Sequence, residues 1–260
     1  MADFLAVCEQ AARVGGQVLL DWQGKFKWRE KGKHDLVTEA DLASQQAIRE
    51  VLLGAFPDHE FLGEEDGDAL AASHNVAQAY RWIVDPLDGT ANYVHSLPNY
   101  AVSIGLEHEG EIICGVVYDP TSSECFAAAK GRGATLNGQT ISVSDCRLLD
   151  QAMIAASFPP LVERDSPEIT RFIEVLIRSQ SVRRFGSAAL NLCYVANGRL
   201  DGYWATSVKM WDIAAGMLIL QEAGGLMTSL TGGKLVLAKP ELIASASPEL
   251  NAALVEVLRL

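Results

Sequence analysis

Two aspartates, Asp85 and Asp88, stand at the end of an apolar run in Arg81-Trp82-Ile83-Val84-Asp85-Pro86-Leu87-Asp88-Gly89-Thr90. Trp82 to Val84 predicts a short buried strand that ends on the first acid. Nothing in the packing of a core asks for two carboxylates there, and a buried carboxylate without a partner is costly. A divalent cation removes that cost. Gly89 permits close backbone approach, free N–H groups at a helix start can bind phosphate oxygens, and the Thr90 hydroxyl can orient a water. Acids that hold metal beside a phosphate cradle would transfer a phosphoryl group to water.

Further acids recur where predicted elements begin. Phe61-Leu62-Gly63 is a short extended segment that runs into Glu64-Glu65-Asp66, and Asp212 follows Met210-Trp211 and precedes Ile213-Ala214-Ala215-Gly216. Each has a plain structural reading. The first is a solvated acidic loop and the second a helix-start acid. Thr38 and Asp41 fit a capping box ahead of a helix carrying Leu42, Gln45, Ile48, Leu52 and Phe56. Hard oxygen donors of this kind suit magnesium. No His-x-x-x-His pair or cysteine cluster offers a zinc site, and the Gly-x-Ser-x-Gly elbow of serine hydrolases is missing.

The elements that must position these acids follow from periodicity. Residues 3–23 predict an amphipathic helix capped by Asp3, and Lys25 to His34 a hairpin or loop. Residues 67–80 read as an irregular loop or a poorly packed helix. A helical turn is predicted over 91–96. Ala101 to His108 and Glu111 to Tyr118 form a hairpin through Glu109-Gly110, and Glu124 to Ala129 is a further strand. Another short hairpin ends at Ile141 to Val143. The second half alternates: strands at 152–157, 181–185 and 201–204, helices at 167–179, 188–197 and 211–223, then two strands and a helix over 248–258. The expected class is therefore mixed α/β, with 1–260 as one domain that has sub-halves 1–147 and 148–260.

Composition sets outer bounds. The 260 residues carry 33 Asp and Glu against 21 Lys and Arg, a net charge of −12. That argues against general binding to nucleic-acid backbones or anionic membranes. The five scattered cysteines read as reduced thiols of a cytoplasmic protein. Residues 1–23 carry Asp3, Glu9 and Asp21 and predict no signal peptide, and no stretch approaches a membrane span.

In order along the chain, Asp35-Leu36-Val37-Thr38-x-x-Asp41, Gly63-Glu64-Glu65, Trp82-Ile83-Val84-Asp85-Pro86-Leu87-Asp88-Gly89-Thr90-x-Asn92, Gly186-Ser187-Ala188-Ala189, Trp211-Asp212-x-Ala214-Ala215-Gly216 and Glu222-Ala223-Gly224-Gly225 resemble the motifs of the inositol monophosphatase family. These are magnesium-dependent, lithium-sensitive phosphomonoesterases. The resemblance implies an αβαβα layered fold, commonly a homodimer, acting on a small phosphorylated metabolite. It implies that Glu64, Asp85 and the Leu87 carbonyl bind one Mg2+, and that Asp85, Asp88 and Asp212 bind a second. Glu64 and Thr90 would activate the water, with Asp41 supporting Thr90. Gly89, Thr90 and Ala91 would face the phosphate, beside Asp88 and Asp212. Gly186, Ser187 and Ala188 would lie beside the alcohol. Lys31 sits near the family's mobile-loop lysine.

One position departs from the pattern. Where inositol-phosphate members carry a glutamate that bonds ring hydroxyls, this chain has Ala205, which weakens the case for inositol. Trp204 either shapes another pocket or is a buried strand aromatic. Inositol 1-phosphate is the leading substrate expectation. Histidinol phosphate, fructose 1,6-bisphosphate and 3′-phosphoadenosine 5′-phosphate are the alternatives. A non-catalytic metal- or phosphate-binding protein is the rival of another class.

Overall fold

The computed structural model describes residues 3–33, 35–67, 80–237 and 240–259. Among the described residues, two large sheets, a two-stranded hairpin and three layers of helices make up the fold. Helix α1 (Phe4–Trp22) starts on the Asp3 cap, and the hairpin β1 (Trp28–Gly32) and β2 (Asp35–Thr38) leads into α2 (Glu39–Ala55). Next come β3 (Glu60–Gly63), β4 (Arg81–Asp88), the short α3 (Thr90–Val94), β5 (Ala101–His108), β6 (Glu111–Asp119), β7 (Glu124–Ala129), β8 (Ala134–Leu136) and β9 (Gln139–Thr140). Strands β3 to β9 form a seven-stranded sheet in chain order, with only β3 and β4 parallel.

The rest comprises β10 (Met153–Ser157), α4 (Pro167–Arg178), β11 (Ser181–Arg183), α5 (Ala188–Ala196), β12 (Gly202–Ala205), α6 (Met210–Glu222), β13 (Leu226–Ser229), β14 (Leu242–Ser245) and α7 (Pro248–Leu258). Its five-stranded sheet runs β11-β10-β12-β14-β13, parallel at β10 and antiparallel at β14.

Three apolar cores separate the layers, and strand alternation assigns side chains to them. Trp82 and Val84 pack with Leu19, Ile48 and Leu52 under α1 and α2. Ile83, between them on β4, faces the other way and joins Leu192, Ile213 and Leu218 of α5 and α6. Tyr203 and Ala205 meet that same middle layer from β12, whereas Trp204 turns outward to Val175, Leu250 and Leu254 of α4 and α7. The order is helices, sheet, helices, sheet, helices. Trp204 is thus a fully buried outer-core residue and not a pocket wall.

Three predicted boundaries move. Strand β4 does not stop at the first acid but carries Asp85, Pro86, Leu87 and Asp88, with a register shift between Asp85 and Asp88. A bulge there bends the strand and re-aims its side chains. Ile141 to Val143 lies beyond β9. Its N–H groups bond Ala134 and Ala223 instead of extending the ladder. Strand β11 ends at Arg183 and not at Phe185. The predicted loop over 67–80 falls almost entirely outside the described residues. All five cysteines are free, and among the described residues no helix is long and apolar enough to cross a membrane.

Candidate active site

The acids approach one another because the first sheet sets the end of β3 beside the bulged part of β4. In the parallel pair, Gly63 of β3 lies opposite Val84 of β4, so Glu64, the first residue past β3, follows beside Asp85, which is still within β4. Gly63 leaves room for the Gln45 amide: a Cβ there would come within 2.1 Å of Gln45 Oε1 and displace it. That amide oxygen is occupied, accepting the Glu65 N–H at 3.0 Å. Asp66 is gripped by both Arg49 NH2 contacts, at 2.7 and 2.8 Å, and accepts the Gly63 N–H at 3.0 Å. The acidic run is thus a 3₁₀ turn, Glu64–Asp66, pinned to α2.

Asp212 arrives from the other side of the sheet. Asp85 pairs with Ser103 on β5, and the Ser103 hydroxyl donates to the Trp211 carbonyl at 3.2 Å. That bond ties the start of α6 to the strand beside Asp85. The helix can come this close because the cross-strand pair Gly105 and Gly115 has no side chains. A Cβ on Gly115 would stand 2.9 Å from the Ala215 carbonyl oxygen. On the opposite flank, a Cβ on Gly216 would meet Leu192 of α5 at 2.7 Å. Ala214-Ala215-Gly216 is therefore a narrow wedge between sheet and helix.

Asp88 is held by α5. Its Oδ2 accepts from the Ser187 hydroxyl and, at 2.7 Å, from the Ala189 N–H. Ser187 also caps α5 by accepting the Leu190 N–H at 3.1 Å. Its side chain is fully buried, which places its hydroxyl behind Asp88, away from solvent. Gly186, at φ 92°, lies against the Asn92 amide, which donates to the Phe185 and Asn99 carbonyls, both at 2.7 Å. Ala188 is buried as the first residue of α5.

Gly89 is the left-handed cap of α3, at φ 101°. There a Cβ would meet the Asn99 carbonyl at 3.0 Å, so only glycine avoids both the contact and the strained backbone. Thr90 opens the helix and Ala91 follows, exposed. The Thr90 hydroxyl has two acceptors, the Leu87 carbonyl at 3.0 Å and Asp41 Oδ1 at 3.2 Å. The other Asp41 oxygen accepts the Thr38 N–H at 2.8 Å, and its own cap partner, the Thr38 hydroxyl, at 2.5 Å. The capping box and the contact with Thr90 coexist, since each uses a different oxygen of Asp41.

Electrostatics mark this cluster as a place of uncompensated negative charge. Burial pushes the Asp85 carboxyl well above the ordinary range, and Glu64, Asp88 and Asp212 push it further. Burial and then Asp88 and Glu64 do the same to Asp212, against the Lys209 N–H bonded at 2.8 Å. Asp88 is raised to about 6 by burial, held down by Ser187 and the α5 N–H groups. Burial raises Asp41 to about 7 in spite of its two Thr38 bonds. Lys31 of the hairpin answers part of this charge, donating to Glu64 at 2.9 Å and Glu65 at 2.6 Å.

The donor set fits a hard divalent cation: carboxylates and a backbone carbonyl, all oxygen, in a place where like charges raise one another. Each acid is at present turned to a protein partner, Glu64 to Lys31, Asp85 to the Leu87 N–H at 2.9 Å, Asp88 to Ser187 and Asp212 to Lys209. Among the described residues no three acid, histidine or cysteine side chains close round one point. Ala205, for its part, is fully buried in the middle core beneath this rim. Sequence reasoning missed Ser103, Gln45 and Arg49, and also Ser44, whose hydroxyl donates to the Pro86 carbonyl at 3.1 Å. A polar residue breaking an apolar stripe was their one signal.

Acids from two neighbouring strands, capped helices and a wedge helix thus converge on one rim of a layered fold. The comparisons give it a family. Residues 1–259 match the model of the inositol monophosphatase family, and the chain belongs to that family of metal-dependent phosphatases. It is 41% identical over 250 residues to a protein named Nus factor SuhB from Pasteurella multocida, covering 95% of this chain and 92% of that one. It is 44% identical over 229 residues to a fructose-1,6-bisphosphatase/inositol-1-monophosphatase from Aquifex aeolicus, covering 86% and 85%. The crystal structure of extragenic suppressor protein suhB from Bartonella henselae superposes with a TM-score of 0.90 at 37% identity, over 98% of this chain and 97% of that one.

Proposed function

We propose that the chain hydrolyses a small phosphate monoester with Mg2+, and that inositol 1-phosphate is its leading substrate. The observation that carries this is the nearness of Glu64, Asp88 and Asp212 to Asp85, close enough for their charge to raise its carboxyl, beside the Thr90–Asp41 pair. Glu64, Asp85, the Leu87 carbonyl, Asp88 and Asp212 would hold the ions. Bound cations supply Lewis acidity to the phosphoryl oxygens, the attacking water and the departing alcohol.

The remaining work falls to the protein. Thr90 donates its proton to Asp41 or Leu87, so an oxygen lone pair is left to accept from a water and aim it. Glu64 takes the water's proton once Lys31 yields its place. Gly89, Thr90 and Ala91 present backbone N–H groups to the phosphate, while Gly186 and Ala188 flank the alcohol. Ser187 contributes through Asp88.

The bifunctional name of the Aquifex relative supports fructose 1,6-bisphosphate as the second reading. We read 1–260 as one domain, since the middle core joins Ile83 and Phe126 to Tyr203 and Ala244. We also read a homodimer, supported by Ile173, Leu176 and Ile177, which α4 exposes. The cytoplasm and lithium sensitivity complete the proposal. The charge of −12 supports a metabolite over a nucleic acid as partner, although several relatives are named Nus factors.

The test is phosphate release with and without Mg2+ from inositol 1-phosphate, histidinol phosphate, fructose 1,6-bisphosphate and 3′-phosphoadenosine 5′-phosphate. A histidinol phosphate rate orders of magnitude above the rest would discard the inositol label. No release from any ester would leave the non-catalytic reading.

A further inference from the structure

A hollow opens where the far end of α6 meets both sheets. Its volume is about 630 Å³, in the range of sites that take small molecules, and none of the acids of the candidate active site lines it. Asp212 stands in the first turn of α6, whereas the residues facing the hollow begin at Met217 and end at Glu222. Along the helix axis they lie between about 7 and 15 Å past Asp212.

The floor is apolar and the mouth is not. Ile112 of β6, Leu218 of α6 and Met227 of β13 are buried at the base. Met217, Leu235 and Leu237 form half-buried walls packed on the middle core. The two methionines have unbranched, polarisable side chains that adapt to differing ligand shapes. Four charged side chains line the mouth: Glu111, Lys130, Glu222 and Lys234. Three are already engaged. Glu222 uses both carboxylate oxygens, accepting the Gly131 N–H at 2.7 Å and the Gly133 N–H at 2.8 Å. Glu111 is ion-paired with Lys130. Among the described residues the Lys234 ammonium makes no hydrogen bond or ion pair. It acts on the Glu111 carboxyl through its charge alone, behind Lys130, whose bond is the chief cause that holds that group low. In a chain of net charge −12, an unpaired lysine above an apolar hollow selects an anion.

We infer that this hollow is a second ligand site, for a small amphipathic anion: an apolar body held over Leu218 and Met227, and one sulfonate, carboxylate or phosphate head at Lys234. The two parts contribute unequally. An exposed ion pair is worth little, whereas an apolar body gains by leaving water. The body therefore sets affinity, and Lys234 sets the preference for negative over neutral ligands. The inference stands whether or not the chain is a phosphatase, because no residue of the candidate active site takes part.

The experiment uses two fluorescent ligands with one ring system: 1-anilinonaphthalene-8-sulfonate, which bears the anion, and N-phenyl-1-naphthylamine, which lacks it. Each is titrated into wild type, Lys234→Gln, Met217→Trp and Ile177→Ser. The last is a control on the exposed apolar face of α4. Wild type is expected to bind one sulfonate per chain, and more tightly than the neutral amine. Lys234→Gln weakens the sulfonate about threefold, the scale of an exposed ion pair, and leaves the amine unchanged. Met217→Trp weakens both by about tenfold or more, because the indole takes the space that the ligand needs. Ile177→Ser leaves both as in wild type. No saturable binding to wild type overturns the inference. So does binding that survives Met217→Trp or is lost in Ile177→Ser. Equal affinity of wild type for the two ligands, or equal losses in Lys234→Gln, removes the selection of anions and with it the inference. If Met217→Trp does not fold, Leu235→Trp, in the segment between β13 and β14, is held to the same outcomes.

Discussion

Asp41→Asn should make the protein more stable and less active, and the structure gives the size of the first effect. The Asp41 carboxyl is fully buried and raised from 3.8 to about 7, chiefly by burial, with Glu65 and Glu64 adding to it. A carboxyl whose pKa is higher folded than unfolded favours folding at low pH. Its contribution is fully present below about pH 4 and is lost as pH climbs through about 7. The shift is about 3 units, or roughly 4 kcal/mol in full, of which about 2–3 kcal/mol falls between pH 5 and pH 8. Asparagine stays neutral throughout and escapes that loss.

It also reverses a hydrogen bond. With its carbonyl accepting from Thr38, the amide nitrogen would face Thr90 and donate to it, taking one of its two lone pairs, turning its proton to the Leu87 carbonyl and so re-aiming the water it would hold. A decrease in kcat of about a hundredfold is expected, the low end for lost proton-transfer assistance. Denaturant unfolding at pH 5, 6.5 and 8 in metal-free buffer measures the first effect, and phosphate release with Mg2+ the second. Wild-type and variant stabilities that run parallel across the pH range would refute the burial argument. Wild-type turnover would remove Asp41 from the reaction.

Three other outcomes follow from the same geometry. Asp88→Asn keeps an acceptor for Ser187 and so should leave circular dichroism unchanged while phosphate release falls to background; a clean preparation with wild-type activity would take Asp88 out of the site. Gly115→Ala forces a Cβ to within 2.9 Å of the Ala215 carbonyl, so α6 must shift. It should cost about 1–3 kcal/mol by denaturant unfolding and lower activity as Asp212 moves with its helix. Removal of divalent metal with a chelator should abolish turnover and lower the melting temperature, since Mg2+ at a hundred times its Kd stabilises by about 2.7 kcal/mol; differential scanning fluorimetry with unaltered melting would argue against ligation by the acids.

How far the sequence carries depends on the range of the interaction. Asp3, Thr38 and Asp41 announce helix starts within a few residues, and α1 and α2 begin where those signals stand. The strand Ala101–His108 and the helix Pro248–Leu258 are likewise written in local period and breakers. Pro86 misleads because proline ordinarily ends a ladder. Here the strand continues through it, for the Asp85–Asp88 bulge takes up the irregularity. Nothing local could reveal that Ser103 lies opposite Asp85, or that Gly105 faces Gly115 so that α6 may lie on the sheet. Those are facts of register between distant segments. Ala205 shows the same limit: its identity is visible in the chain, its burial is not.

The gathering of like charges explains why the acids come from so many elements. One strand carrying all of them could not also provide enough N–H donors to hold them. Instead Asp41, Asp88 and Asp212 each accept backbone N–H groups at a helix start: α2, α5 and α6. The positive ends of those helices offset part of the repulsion before any cation binds. The offset is incomplete, as the raised carboxyls of Asp85 and Asp212 show. A site neutralised wholly by its own protein would have little use for a cation. This one retains a deficit of positive charge at the rim, and that deficit would draw in metal.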